Sequence, residues 1–233
     1  MSITNKKEIM TNPKDFEKLL KRIGREKLTD VWFFPLRSHR KNPDCPFGTV
    51  LKGNTAYRLD KGDALKRLSS GGNVGIYALQ GGLMFLDLDV KNNNYLASER
   101  ILARLDETLT VQTRNGGKHL YYWNDGTYAN QDIKENGVKI GELRTDWFYV
   151  VSCGSFVDVD DNNTLGDGNY RIIKNVPIID FQGFPGVVKR GTIKEKEKLF
   201  FEKTEKPVGI VGNVRDYEQR LKDRGVTPVS RIR

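Results

Sequence analysis

The stretch Gly71 to Val90, GGNVGIYALQGGLMFLDLDV, constrains the fold more than any other part of the chain. Two apolar, β-rich runs, Val74–Leu79 and Leu83–Leu88, flank Gln80-Gly81-Gly82. That spacing reads as a hairpin with a tight glycine turn. The second run ends in Asp87-Leu88-Asp89. Side chains alternate along a strand, so both carboxylates face one way and Leu88 the other. Two like charges at that distance repel, and each resists burial. Either both are solvated at a strand end, or a divalent cation with oxygen ligands compensates them.

With 233 residues the chain is long enough for one large or two small domains with a proper core. No apolar run approaches membrane-spanning length, and the opening MSITNKKEIM has no signal-peptide core. A cytoplasmic protein with no membrane partner is expected. Cys45 and Cys153 are the only cysteines, which excludes a disulfide framework and a Cys-x-x-Cys zinc site. The net charge of +9 favours a polyanion such as nucleic acid, although lysine-rich chains are also simply soluble.

Residues 1–11 are polar and expected to fray. A helix starts at Asn12-Pro13, with Phe16, Leu19, Leu20 and Ile23 on one apolar face and Gly24 at its end. Val31–Phe34 is a buried strand stopped by Pro35, followed by a basic loop from Arg37 to Pro46. Asp60 or Asp63 caps a short helix that ends at Gly71-Gly72. After the hairpin, Leu96–Leu105 is helical, with Ser98, Ile101, Leu102 and Leu105 inward. Thr108–Thr113 and Lys118–Trp123 are strands joined by Asn115-Gly116-Gly117. Val138–Leu143 and Phe148–Val151 read as a further strand pair, and Tyr170–Ile173 as a short strand. The expected boundaries are a flexible 1–11, a principal domain 12–180, and a basic, partly helical extension or linker 181–233. Residues 186–233 hold 13 Lys and Arg against 7 Asp and Glu, and their helical patches lie around Ile193–Lys203 and Val214–Arg224. The ending Arg231-Ile232-Arg233 carries no stop signal, as in a piece of a longer protein.

Two further segments carry chemistry. His119 follows a glycine turn, and Asn115, Gly117, His119 and Tyr121 share a strand face. Glycines there let a phosphate approach main-chain amides, and a histidine can donate to it; a half-buried structural histidine fits as well. Glu142 and Arg144 share a face of the next strand. They suit a metal ligand beside a phosphate clamp, or an ordinary surface ion pair. Taken together, three carboxylates can hold two Mg²⁺ or Mn²⁺ ions for an in-line phosphoryl transfer.

The order of these motifs resembles the bifunctional DNA primase/polymerase (prim-pol) family of the archaeo-eukaryotic primase superfamily, from about Val31 to Tyr170. The resemblance rests on WFFPL with Lys41-x-Pro43, NVGIYALQGGLMFLDLDV, Thr113-x-x-Gly116-Gly117-x-His119-Leu120-Tyr121, Gly141-Glu142-Leu143-Arg144 and Tyr149-Val150-Val151-Ser152. It implies metal-binding acids at Asp87, Asp89 and Glu142, and nucleotide binding at His119. Arg144, Lys41, Asn115 and Gly117 join it as expected triphosphate contacts. The chain departs from the pattern at Gly117, where relatives often have Ser. It has Glu at 142 where Asp is usual, and Cys153-Gly154-Ser155 where Pro-Pro-Ser is common. It lacks the cysteines of the zinc-binding insertion that some relatives carry.

The fold implied is α/β (α+β): an RRM-like sheet of the archaeo-eukaryotic primase type packed with an N-terminal α/β module, the site in the cleft between them. The activity implied is template-dependent nucleotidyl transfer in plasmid or virus replication. The partners would be a DNA template and primer, dNTP or NTP, and a helicase region following the domain. Two rivals are a metal-dependent nuclease and a non-catalytic single-strand binder that stacks bases on Tyr121, Tyr122 or Trp123.

Overall fold

Helix α1 (Pro13–Ile23) forms where the periodicity predicts it. Phe16, Leu19 and Ile23 are buried on one face, and Pro13 occupies the first turn, where no intrahelical N–H is needed. Gly24 stops the helix at φ 80, its N–H donating to the Leu20 carbonyl. Asn12 makes no side-chain cap; its main-chain N–H instead donates to Gly154 O at 2.8 Å. These features belong to a computed structural model that describes residues 10–45, 57–90, 95–158 and 166–190. The two helical patches expected beyond residue 190 lie outside the described residues, as does most of the acidic loop before Gly168.

In chain order the remaining elements are β1 (Phe33–Leu36), α2 (Lys61–Ser69), β2 (Asn73–Tyr77), β3 (Leu83–Leu88), α3 (Tyr95–Leu102), β4 (Thr110–Gln112), β5 (Lys118–Trp123), β6 (Gln131–Glu135), β7 (Val138–Arg144), β8 (Tyr149–Val151), β9 (Arg171–Lys174) and β10 (Ile179–Asp180). Asp60 rather than Asp63 caps α2, its carboxylate accepting from the Asp63 N–H at 2.8 Å. Strand β1 runs through Pro35 instead of stopping there. It is an edge strand paired only with β2 in its sheet, so a missing N–H on the outer side breaks no ladder.

The strands make two sheets, antiparallel except for the short β10–β5 pairing. The small sheet has the order β1-β2-β8, and the large one β6-β7-β3-β5-β4-β9. Its inner strands β7-β3-β5-β4, with α3 crossing between β3 and β4, have the RRM-like order. This is the mixed α/β, primase-type architecture expected from the motifs.

Two expected pairings are replaced. Strands β2 and β3 form no hairpin, because they lie in different sheets. Leu79–Gly82 is a real turn, closed by Gly82 N–H to Leu79 O at 3.1 Å, but it carries the chain from the small sheet into the large one. Strands β7 and β8 are likewise separated between the sheets. Strand β7 pairs instead with β6 on one edge and with β3 on the other.

Alternation sorts the side chains of the large sheet between two cores. Leu83, Phe85 and Tyr121 face the small sheet and α1 in one cluster with Phe16, Phe34 and Ile76. Met84, Leu86, Leu88, Leu120 and Tyr122 face the other way, against Ala97 and Ile101 of α3. Phe181 is buried in that second cluster, and Phe184 and Val187 pack on it, so residues 181–187 are packed against the sheet. Each large apolar side chain fully buried in this way contributes roughly 1.5–3 kcal/mol. Among the described residues no helix is long and apolar enough to cross a membrane.

Candidate active site

Strand β3 has a partner on both edges. Asp87 pairs in register with His119 of β5 on one side and with Glu142 of β7 on the other. Residues directly opposite in a sheet project to the same face. His119, Asp87 and Glu142 therefore form one row across three strands, and Asp132 of β6, opposite Glu142, extends it. The face is the one toward the small sheet, where Phe85 and Tyr121 belong to the shared core.

Two glycines allow the three strands to close at this level. A Cβ on Gly141 would stand 2.3 Å from the Asp87 carbonyl oxygen, and one on Gly117 would stand 2.7 Å from that of Leu88. The space beside Gly117 is thus taken by β3 itself. Gly116, with φ 87, makes the turn before it. Asn115 is buried there with Oδ1 unpartnered, an acceptor that suits a hydroxyl or a water better than a phosphate oxygen.

The acids face nitrogens of a histidine, an arginine and a lysine. Asp87 Oδ1 lies 3.4 Å from His119 Nε2, and Asp87 Oδ2 lies 2.9 Å from Arg144 Nη2. The same Arg144 nitrogen is 3.0 Å from Glu142 Oε2, while Lys139 Nζ is 2.5 Å from Glu142 Oε1 and 2.8 Å from Asp132. Burial pushes the Asp87 carboxyl up, but His119, then Arg144 and Lys41, outweigh it and hold the group at about 2. Lys41, from the basic loop, therefore belongs to the electrostatic surroundings of Asp87. Its carbonyl accepts from the Tyr149 hydroxyl at 3.3 Å, and the Tyr149 carbonyl accepts from Arg144 Nη1 at 3.0 Å. His119 is 5% exposed, with Nδ1 unpartnered and its ring 5.7 Å from that of Tyr170. Asp89 lies exposed just past β3, its main chain held by Ile140 and by the Ser98 hydroxyl.

Of the residues the sequence singles out, Asp87, His119, Glu142 and Arg144 are thus in contact, with Lys41 close by. Asn115 and Gly117 shape the turn that leads into β5. Lys139, Tyr170 and Asp132 lie outside the motifs that carry the resemblance, whereas Tyr149 lies within one of them. The dipeptide Asn136-Gly137 is the signal that would have found the β6–β7 hairpin, and with it Asp132 and Lys139.

The oxygen chemistry suits a hard divalent cation. Carboxylates from adjacent strands converge on a single point, which the Arg144 nitrogen holds. Among the described residues there is no ready-made group of three or more His, Cys, Asp or Glu around a metal position. The pair Asp87 and Glu142 would hold such an ion, with Asp89 next along the chain.

A family model described as bifunctional DNA primase/polymerase, N-terminal, matches residues 28–181, well over half of the chain. The chain belongs to this prim-pol family. The match covers β1 through β10 and every residue of the row. No curated protein matches the chain. Membership places the chain among DNA primases and polymerases. The prim-pol sheet here is no open stacking platform: Tyr121 and Tyr122 are buried, and Lys27 lies 4.0 Å over the ring of Trp123.

Proposed function

We propose that the cleft catalyses template-dependent nucleotidyl transfer, adding nucleotides from dNTP or NTP to a DNA primer strand or starting one. The observation that carries this reading is the row Glu142–Asp87–His119, set side by side across three hydrogen-bonded strands. Asp87, Glu142 and Asp89 would hold two Mg²⁺ or Mn²⁺ ions. Bound there, two such ions would supply Lewis-acid stabilisation of the attacking and leaving oxygens. Asp87 is ionised throughout the neutral range and is ready as a ligand. His119, Arg144 and Lys41 would supply the cations and donors that the triphosphate charge needs. Asn115, with its unpartnered acceptor, suits a sugar hydroxyl or an ordered water. The basic segment past residue 186 would add non-specific phosphate contacts to template and primer.

Incorporation on a primed and an unprimed DNA template, with Mg²⁺ or Mn²⁺, tests this. The full chain should extend or synthesise a strand, and Asp87→Ala with Asp89→Ala should abolish that while a melting curve shows the fold retained. Cleavage of the DNA without incorporation would select the nuclease reading. Full incorporation by the double variant would remove these acids from the chemistry.

A further inference from the structure

All four carboxylate oxygens of the central pair face a nitrogen. Asp87 Oδ1 has His119, Glu142 Oε1 has Lys139, and the remaining two share Arg144 Nη2 at 2.9 and 3.0 Å. These last two are the oxygens that converge. One cation bridges them, and it is part of the protein. The guanidinium is also tied to the opposite sheet, since Nη1 donates to the Tyr149 carbonyl in β8. Its Nε is buried without a hydrogen-bond partner, so the group has an unused donor.

Resting on the reading above, we propose that Arg144 is an exchangeable cation. It holds the bridging position between Asp87 and Glu142 while no metal is bound, and it yields that position when a divalent ion binds. Two cations cannot share one point between two carboxylates, because repulsion at contact distance removes what the second would gain. Without Arg144 the two acids would repel across the β3–β7 seam, so the arginine keeps the metal-free seam closed. On release the guanidinium stays tethered near Tyr149, whose hydroxyl donates to the Lys41 carbonyl. It is then on the Lys41 side of the cleft, with its donors free for phosphate oxygens. Metal binding and triphosphate binding are thereby coupled: the ion that takes the bridge frees the clamp. Lys139 does not occupy the bridge; it sits on the outer oxygen of Glu142 and is about two-fifths exposed.

The test is titration of the full chain with Mn²⁺ alone, without nucleotide, reading free Mn²⁺ by electron paramagnetic resonance. Removing the competitor in Arg144→Gln should tighten Mn²⁺ binding about ten-fold, the lower end expected for charge-assisted contacts. Lys139→Ala removes a charge from the same carboxylate without emptying the bridge, and should change affinity by about two-fold or less. If Lys139→Ala tightens binding as much as Arg144→Gln, the effect is a general field and the exchange is refuted. If Arg144→Gln binds as the wild type does while Asp87→Asn binds more weakly, the metal site stands and Arg144 is not in its way. If Asp87→Asn binds as the wild type does, the metal reading fails and the exchange fails with it. Should Arg144→Gln not fold, Arg144→Lys keeps the charge but cannot reach Tyr149 and both acids together. The arginine side-chain NMR resonance missing from its spectrum should then shift in the wild type on adding Mg²⁺; an unmoved resonance overturns the exchange.

Discussion

Two glycine turns in this chain, four residues or fewer each, do opposite things. At Asn136-Gly137 both residues have positive φ, 50 and 80, and β6 folds straight back onto β7. That handedness matches the twist of the flanking strands. At Leu79–Gly82 only Gly81 is left-handed, with φ 71, the pattern of a type II turn. Such a turn splays the strands on either side, and the chain changes sheet. The consequence reaches the chemistry. Because β2 does not pair with β3, both edges of β3 are free, and β5 and β7 take them. A β2–β3 hairpin would have displaced either His119 or Glu142 from its place beside Asp87.

The largest effect should come from disturbing an edge of β3 directly. In Gly141→Ala the new Cβ would meet the Asp87 carbonyl at 2.3 Å, inside the β3–β7 seam. We expect about 3 kcal/mol of destabilisation in urea unfolding and a matching loss of incorporation. A loss under about 1 kcal/mol would mean that β7 shifts cheaply and that its register is not what sets the row.

The next effect tests whether Asp87 is held from both edges. Its folded carboxyl titrates at about 2, below the usual unfolded value of about 3.9. A depressed carboxyl contributes stability above the unfolded value, and the contribution is lost as pH falls toward the folded one. In EDTA, the stability advantage of the wild type over Asp87→Asn should therefore shrink by about 2 kcal/mol between pH 5 and pH 2. A constant gap would show that His119 and Arg144 do not hold the ionised form.

Smaller effects belong to the turns. A Cβ at Gly81 or at Gly137 would meet nothing within 4 Å, so each alanine variant feels only the backbone cost, about 1 kcal/mol by thermal unfolding. An appreciably larger cost at Gly81 alone would show that the crossing is under greater constraint than the hairpin. The smallest change is Gln80→Asn, which writes the hairpin dipeptide Asn-Gly into the crossing. Stability should move by less than about 0.5 kcal/mol and incorporation should persist, because β3 already has two partners. A large loss would mean that the turn residue, rather than the pairings, decides the change of sheet.

Local signals were legible where their cause is local. The Pro13 start and Gly24 stop of α1 and the bounds of β5 follow from residues next to one another, while the structure chose Asp60 over Asp63 as the cap of α2. The motif order Asp-Leu-Asp, Gly-Gly-Lys-His and Gly-Glu-Leu-Arg was likewise readable, and with it the family. Asn136-Gly137 is an equally local signal, and it marks the β6–β7 hairpin.

By itself, then, the sequence determined which residues could share a strand face, since alternation is a property of the backbone at each position. It did not determine neighbours. Whether Asp87 stands beside His119, whether Glu142 completes the row, and whether Arg144 bridges two acids depend on strands far apart in the chain. Those pairings are chosen when both faces of the large sheet are buried at once, one against the small sheet and α1, the other against α3 and Phe181. A one-residue slip would turn every apolar side chain of β3 to the wrong core, and that cost, visible only in three dimensions, fixes the register of the site.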